Sequence, residues 1–169
     1  MPDFALELSF DPASEAAVVA QWEALRAAGL PSQADHKSMT NAPHLTLVAA
    51  QELDPDLADA AAAEIRLPSS LAVRGLVLFG QGARTTVAHL VEPPTELAEA
   101  ALRLRERVPE LRHPVWTPHV TLARRVPRAR LSDVLAVLDD HPCPPVLAAT
   151  RLRWWDPVDG TIEDLGQKE

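Results

Sequence analysis

Pro43-His44-Leu45-Thr46-Leu47-Val48 recurs 75 residues later as Pro118-His119-Val120-Thr121-Leu122-Ala123. In 169 residues holding six histidines, two copies of Pro-His-x-Thr-Leu are not a product of composition. Side chains alternate faces along an extended strand, so a histidine and the threonine two places later project together. Leu45 and Leu47 point the other way, as do Val120 and Leu122. Each copy therefore reads as a strand, His44 to Ala49 and His119 to Arg124, carrying one imidazole and one hydroxyl above an apolar underside.

Outward from each copy the same succession appears. Before the first lies Phe4-Ala5-Leu6-Glu7-Leu8-Ser9-Phe10, alternating like a half-buried strand. A helix follows to about Ala28, with Ser14 as its expected N-cap and Gly29 as its stop. Residues 31 to 42 carry no periodicity and read as a loop. After the first copy, Asp54-Pro55 opens a helix to about Arg66. Strands Leu71 to Phe79 and Thr85 to Val91 flank the turn at Gly80-Gln81-Gly82. A helix from about Glu96 to Arg107, a loop from Pro109 to Pro118, the second copy and a helix from Ser132 to Asp140 repeat the order. Val146 to Trp155 and Thr161 to Leu165 read as a closing hairpin around Asp156-Pro157-Val158-Asp159-Gly160. The pattern lacks the regular βαβα rhythm of a doubly wound sheet. It predicts an α+β fold over residues 1–169, two sheet-and-helix lobes related by an internal two-fold.

Composition bounds the partners. The net charge of −8 argues against a grip on long duplex nucleic acid, which leaves a basic footprint. Eight of the 16 basic residues nevertheless lie between Arg103 and Arg130, which suits a small anion or a strand end. Arg103, Arg105 and Arg107 read as a solvated helix face. No apolar run approaches the roughly 18 residues of a membrane span, and the first ten residues have no secretory pattern, so a cytoplasmic location is the expectation. Cys143 stands alone between prolines and is expected to be structural.

If the lobes face each other, the two His-Thr pairs share one cleft. In-line cleavage of a phosphodiester needs a base for the incoming oxygen and an acid for the leaving one, on opposite sides of phosphorus. Two imidazoles suit this near neutral pH. The threonine hydroxyls can donate to the non-bridging oxygens. No metal-ligand set accompanies the motifs, so the expectation is catalysis without metal or cofactor.

The two Pro-His-x-Thr-Leu segments resemble the defining motifs of the 2H phosphoesterase superfamily, which includes 2′-5′ RNA ligase-like proteins and RNA 2′,3′-cyclic phosphodiesterases. The resemblance spans the chain in length, motif spacing and order of elements. It implies a bilobal fold of two antiparallel sheet-plus-helix lobes with pseudo-two-fold symmetry around a central cleft. It also implies metal-independent hydrolysis of cyclic phosphates by His44 and His119, with Thr46 and Thr121 holding the substrate. An arginine soon after the second motif is common in the cyclic phosphodiesterase branch, and Arg124 fits that place. Ala49-Ala50-Gln51-Glu52 departs from the Gly-containing segment usual after the first motif.

Further candidates are more loosely tied. Trp116, two residues before Pro118, can stack on a base or pack under its loop. Trp154 and Trp155 face opposite ways on a strand, one toward the core. Arg151, Arg153 and Trp155 share a face and become candidates for phosphate contact, and Phe79 can border the groove. His36, His89, His113 and His141 read as surface or locally hydrogen-bonded histidines. The expected substrate is a small phosphodiester or an RNA-terminal cyclic phosphate. The alternatives are 2′-5′ ligation of RNA ends and a non-catalytic nucleotide or RNA-end binding module; oligomeric state is not readable.

Overall fold

The computed structural model describes residues 3–38 and 40–166. Seven strands and four helices form among them: β1 (Phe4–Phe10), α1 (Pro12–Ala27), β2 (His44–Ala50), α2 (Asp56–Glu64), β3 (Ser69–Phe79), β4 (Arg84–Glu92), α3 (Thr95–Glu106), β5 (His119–Pro127), α4 (Leu131–Asp140), β6 (Val146–Asp156) and β7 (Thr161–Asp164). The strands make one antiparallel sheet in the order β2-β1-β6-β3-β4-β5, with β7 paired to β6. Exchanging β1, β2 and β3 with β4, β5 and β6 reverses this order and leaves it unchanged. The pseudo-two-fold therefore passes between β6 and β3, where Ser69 to Ala72 pair with Ala149 to Val146. Leu71 and Leu147 stand opposite each other at that junction, and both are fully buried.

Each lobe thus borrows a strand, because β6 closes the sheet of β1 and β2 while β3 closes that of β4 and β5. Helices cross over as well. The first-half helix α1 packs with α4 and reaches β5, while α3 packs with α2 and against β2. Neither half can cover its own apolar face alone, which ties the two together. The sheet curls until its edge strands β2 and β5 approach each other, bringing the motif strands side by side.

Two local expectations are corrected. Ser14 does not cap α1. Asp11 does, its carboxylate accepting from the Ser14 N–H at 2.8 Å. Pro12 starts the helix where a missing N–H costs nothing. Ser14 is buried, and its hydroxyl accepts from the Ala148 N–H at 2.9 Å, joining α1 to β6. Within the segment from 31 to 42, Gln33–Asp35 form a 3₁₀ turn capped by Ser32. Met39 in that segment lies outside the described residues.

Candidate active site

The phase of each motif strand is as the alternation requires. Leu45, Leu47, Val120 and Leu122 are fully buried, while His44, Thr46, His119 and Thr121 are half-buried on the opposite face. The proline before each histidine fixes φ and removes an N–H, and the carbonyl before that proline turns back onto the ring. Ala42 O lies 2.8 Å from Nδ1 of His44, and Thr117 O lies 2.7 Å from Nδ1 of His119. A carbonyl can only accept, so Nδ1 donates in both rings and Nε2 carries the lone pair of the neutral ring.

The edge strands carrying the motifs are pinned reciprocally. The indole N–H of Trp22, on α1, donates to Thr121 O at 3.0 Å, and that of Trp116 donates to Thr46 O at 3.0 Å. Each half of the chain thereby holds the motif strand of the other, and each indole occupies a carbonyl of a strand at the margin of the sheet.

A cleft of about 450 Å³ opens beside these strands, lined among others by Thr46, Thr121, His119, Arg124, Trp116 and Phe79. His44 is not among its lining residues. Its side chain is one-third exposed, and its Nε2 faces Glu7 Oε1 at 3.5 Å. The His119 ring packs tilted against Phe79 with centroids 4.6 Å apart. Burial is the main cause that holds the His119 imidazole below its ordinary pKa, and positive charge on His44 and His113 adds to it. The hydrogen bond to Thr117 pulls the other way.

Arg124 is exposed at the cleft, with no partner among the described residues. The register of β5 on β4 slips here, with Thr85 opposite Val126 and Val87 opposite Ala123. Arg125 absorbs the slip at φ 59°, the left-handed conformation of a bulge that re-aims its neighbour. The indole N–H of Trp116 is spent on Thr46 O, and the side chain also lines the cleft.

Three readings of arginines and histidines are revised by packing. Arg103 and Arg107 do lie on the surface, paired to Glu64. Arg105, by contrast, is buried, lines the cleft, and donates to the carbonyls of Leu47 (2.9 Å) and His113. It sits one turn from buried Ala101 on the face that α3 turns to β2. Arg153 is no free phosphate ligand: it is buried and donates to Glu7 Oε2 at 2.9 Å. Arg151 pairs with Glu15 at 3.8 Å, and neither arginine lines the cleft. His89 is buried and held by Gln21, with 2.7 Å between Nε2 and Oε1. Trp154 packs on Phe4, and burial pushes the Cys143 thiol up to about 11.

Glu7 is the site residue that sequence reasoning passed over. It is buried on a strand covered on both faces, where a carboxylate needs a partner, and only the pairing of β1 with β2 places it beside Thr46 and His44. Among the described residues no three His, Cys, Asp or Glu side chains gather as a metal site, and no helix is long and apolar enough to cross a membrane.

Known proteins give this geometry a context. A family model described as the 2′-5′ RNA ligase superfamily matches residues 11–163. No curated protein sequence matches the chain. Among solved structures, a phosphoesterase superposes with a TM-score of 0.56 at 18% identity, covering 97% of this chain and 94% of its own. LigT of E. coli complexed with 3′-AMP gives 0.54 at 19% identity, over 96% and 92%. Usb1 of Kluyveromyces marxianus gives 0.55 at 13% identity, over 97% of each chain. At such identities the likeness is one of fold.

Proposed function

The chain belongs to the 2′-5′ RNA ligase superfamily, and we propose that it is a metal-independent phosphodiesterase that hydrolyses 2′,3′-cyclic phosphates of nucleotides or RNA ends. The observation that carries this reading is the matched pair of imidazoles, each held at Nδ1 by a backbone carbonyl, which leaves Nε2 to exchange protons. One imidazole takes a proton from water as its oxygen attacks phosphorus. The bond from phosphorus to one ribose oxygen breaks, and the other imidazole delivers a proton to that oxygen. The product is a 2′- or 3′-phosphate monoester. The hydroxyls of Thr46 and Thr121 donate to the non-bridging oxygens, and Arg124 offsets their charge.

Scale supports the same reading. A cleft of about 450 Å³ is the size of a small-molecule site. Solved relatives are known with mononucleotides: E. coli LigT with 3′-AMP and Kluyveromyces marxianus Usb1 with uridine monophosphate. The net charge of −8 favours a nucleotide or strand end over a long duplex. The reading includes a single domain acting on RNA-derived substrates in the cytoplasm. The superfamily's description favours a second reading, in which the 5′-hydroxyl of another RNA end replaces water as the nucleophile, the bond from phosphorus to the 3′-oxygen breaks, and the ends are joined 2′-5′.

The test is turnover of 2′,3′-cyclic AMP, and of a short RNA ending in a cyclic phosphate, with EDTA present. Monoester products formed at the same rate with and without EDTA support hydrolysis. Joined RNA ends without monoester move the ligase reading ahead. Nucleotide binding with no turnover of either kind makes the chain a binding module.

A further inference from the structure

The two motifs are copies, but their surroundings are not. In the first lobe Glu7 pairs across the strands with Thr46, and Arg153 pairs with Glu7. In the second lobe the corresponding places are Ala88, opposite Thr121, and Val77, opposite Ala88. A buried carboxylate and guanidinium in one lobe thus correspond to two apolar side chains in the other. The carboxylate reaches both ways, with Oε2 accepting from Arg153 at 2.9 Å and Oε1 lying 3.5 Å from Nε2 of His44. Glu7 and Arg153 side chains are each only 10% exposed, so little solvent screens this group.

The direction of that contact matters. Nδ1 of His44 already donates to Ala42 O. A neutral ring would therefore leave a bare Nε2 3.5 Å from the carboxylate, two acceptors with no hydrogen to share. A proton on Nε2 removes the conflict. The His119 ring packs on Phe79, and no carboxylate is paired with it among the described residues. The charged groups facing His44 are Glu7 from β1, Arg153 from β6 through Glu7, and His119 from β5 by electrostatic influence.

We infer that Glu7 is a positioning residue that keeps the Nε2 proton on His44, so that His44 is the general acid and His119 the general base. This rests on the phosphodiesterase reading above. In the reaction His119 Nε2 takes the proton of the attacking water, the bond from phosphorus to a ribose oxygen breaks, and His44 Nε2 protonates that oxygen. Solvent then takes the proton from His119 and returns one to Nε2 of His44, where the Glu7 carboxylate favours it. Burial of His119, which disfavours the charged ring, agrees with the base role.

Leaving-group chemistry separates this from a structural role. A ribose alkoxide must be protonated to leave, whereas a nitrophenolate leaves without a proton. The comparison uses 2′,3′-cyclic AMP and a nucleoside 3′-nitrophenyl phosphodiester, with wild type, Glu7→Gln, His44→Ala and His119→Ala. On the cyclic phosphate, Glu7→Gln should lose at least about tenfold and His44→Ala about 100-fold or more, while on the nitrophenyl ester each loss should be about tenfold smaller. His119→Ala should fail on both. Because Glu7→Gln leaves Arg153 buried without its partner, a Glu7→Leu/Arg153→Met double variant removes both charges and is expected to fold. It should show the same leaving-group-dependent loss.

Nitrogen-15 NMR near neutral pH gives a readout without turnover. Nε2 should be protonated in His44 and bare in His119, and the difference should vanish in Glu7→Gln. Equal losses on the two substrates, no loss on either, or identical Nε2 signals in wild type would overturn the role of Glu7. Wild type inactive on every phosphodiester would instead overturn the underlying reading of function.

Discussion

His89 and His119 lie on adjacent strands and respond to burial in the same direction, with different consequences. His89 is held beneath α1 by Gln21, and burial pushes its imidazole down to about 4 from an ordinary 6.5. Between those values the unfolded chain binds a proton that the folded chain does not, so stability falls as pH drops through this window. The advantage of wild type over His89→Gln, read from urea midpoints, should therefore shrink by up to about 3 kcal/mol from about pH 7 to about pH 4. At His119 the shift bears on rate. If His119 is the general base proposed above, it works unprotonated, and the acid limb of the kcat/KM profile should lie below the roughly 6.5 of a free imidazole. A limb at or above that value would contradict a neutral, buried His119. His44, Thr46, His119 and Thr121 were legible because period-two alternation sets their face within each strand. Glu7 was not, because its nearness to His44 depends on the register of β1 on β2, which is a non-local property.

The elements owe their placement to pairings that cross between halves. Trp22 and Trp116 each donate an indole N–H to the motif strand of the opposite half. Trp22→Phe keeps the ring and deletes the donor, leaving Thr121 O without that partner. It should cost about 1 kcal/mol in chemical denaturation and lower turnover, since β5 carries His119. An unchanged midpoint would mean that Thr121 O finds another donor. Strand and helix order was legible from alternation and punctuation by proline and glycine. The crossing of α1 to β5 and α3 to β2 was not, since an amphipathic helix announces that it covers a face without saying whose. The burial of Arg105 has the same origin: its neighbours Arg103 and Arg107 do meet solvent, and only the approach of β2 to α3 distinguishes it.

For the molecule as a whole, the palindromic strand order makes the β3–β6 junction the place where the lobes become one sheet. Leu71 and Leu147 meet there, fully buried. Leu147→Ala should cost about 2–5 kcal/mol, and tryptophan fluorescence and far-ultraviolet circular dichroism should shift together, because neither lobe is closed without the other. Two separated transitions would mean that the lobes fold independently. The internal repeat was legible as two runs of strand, helix, His-strand and helix. The exchange of β3 and β6 between lobes was not, because each pairs with strands distant in sequence. The central claim is that His44 and His119 work as a single acid–base pair across that two-fold. Hydrolysis of 2′,3′-cyclic AMP in EDTA by wild type, His44→Ala, His119→Ala and the double variant tests it most directly. Each single variant should lose about 100-fold or more in kcat/KM, and the double should fall little further, as groups acting as a unit do. Either single variant turning over within a few-fold of wild type would contradict the claim.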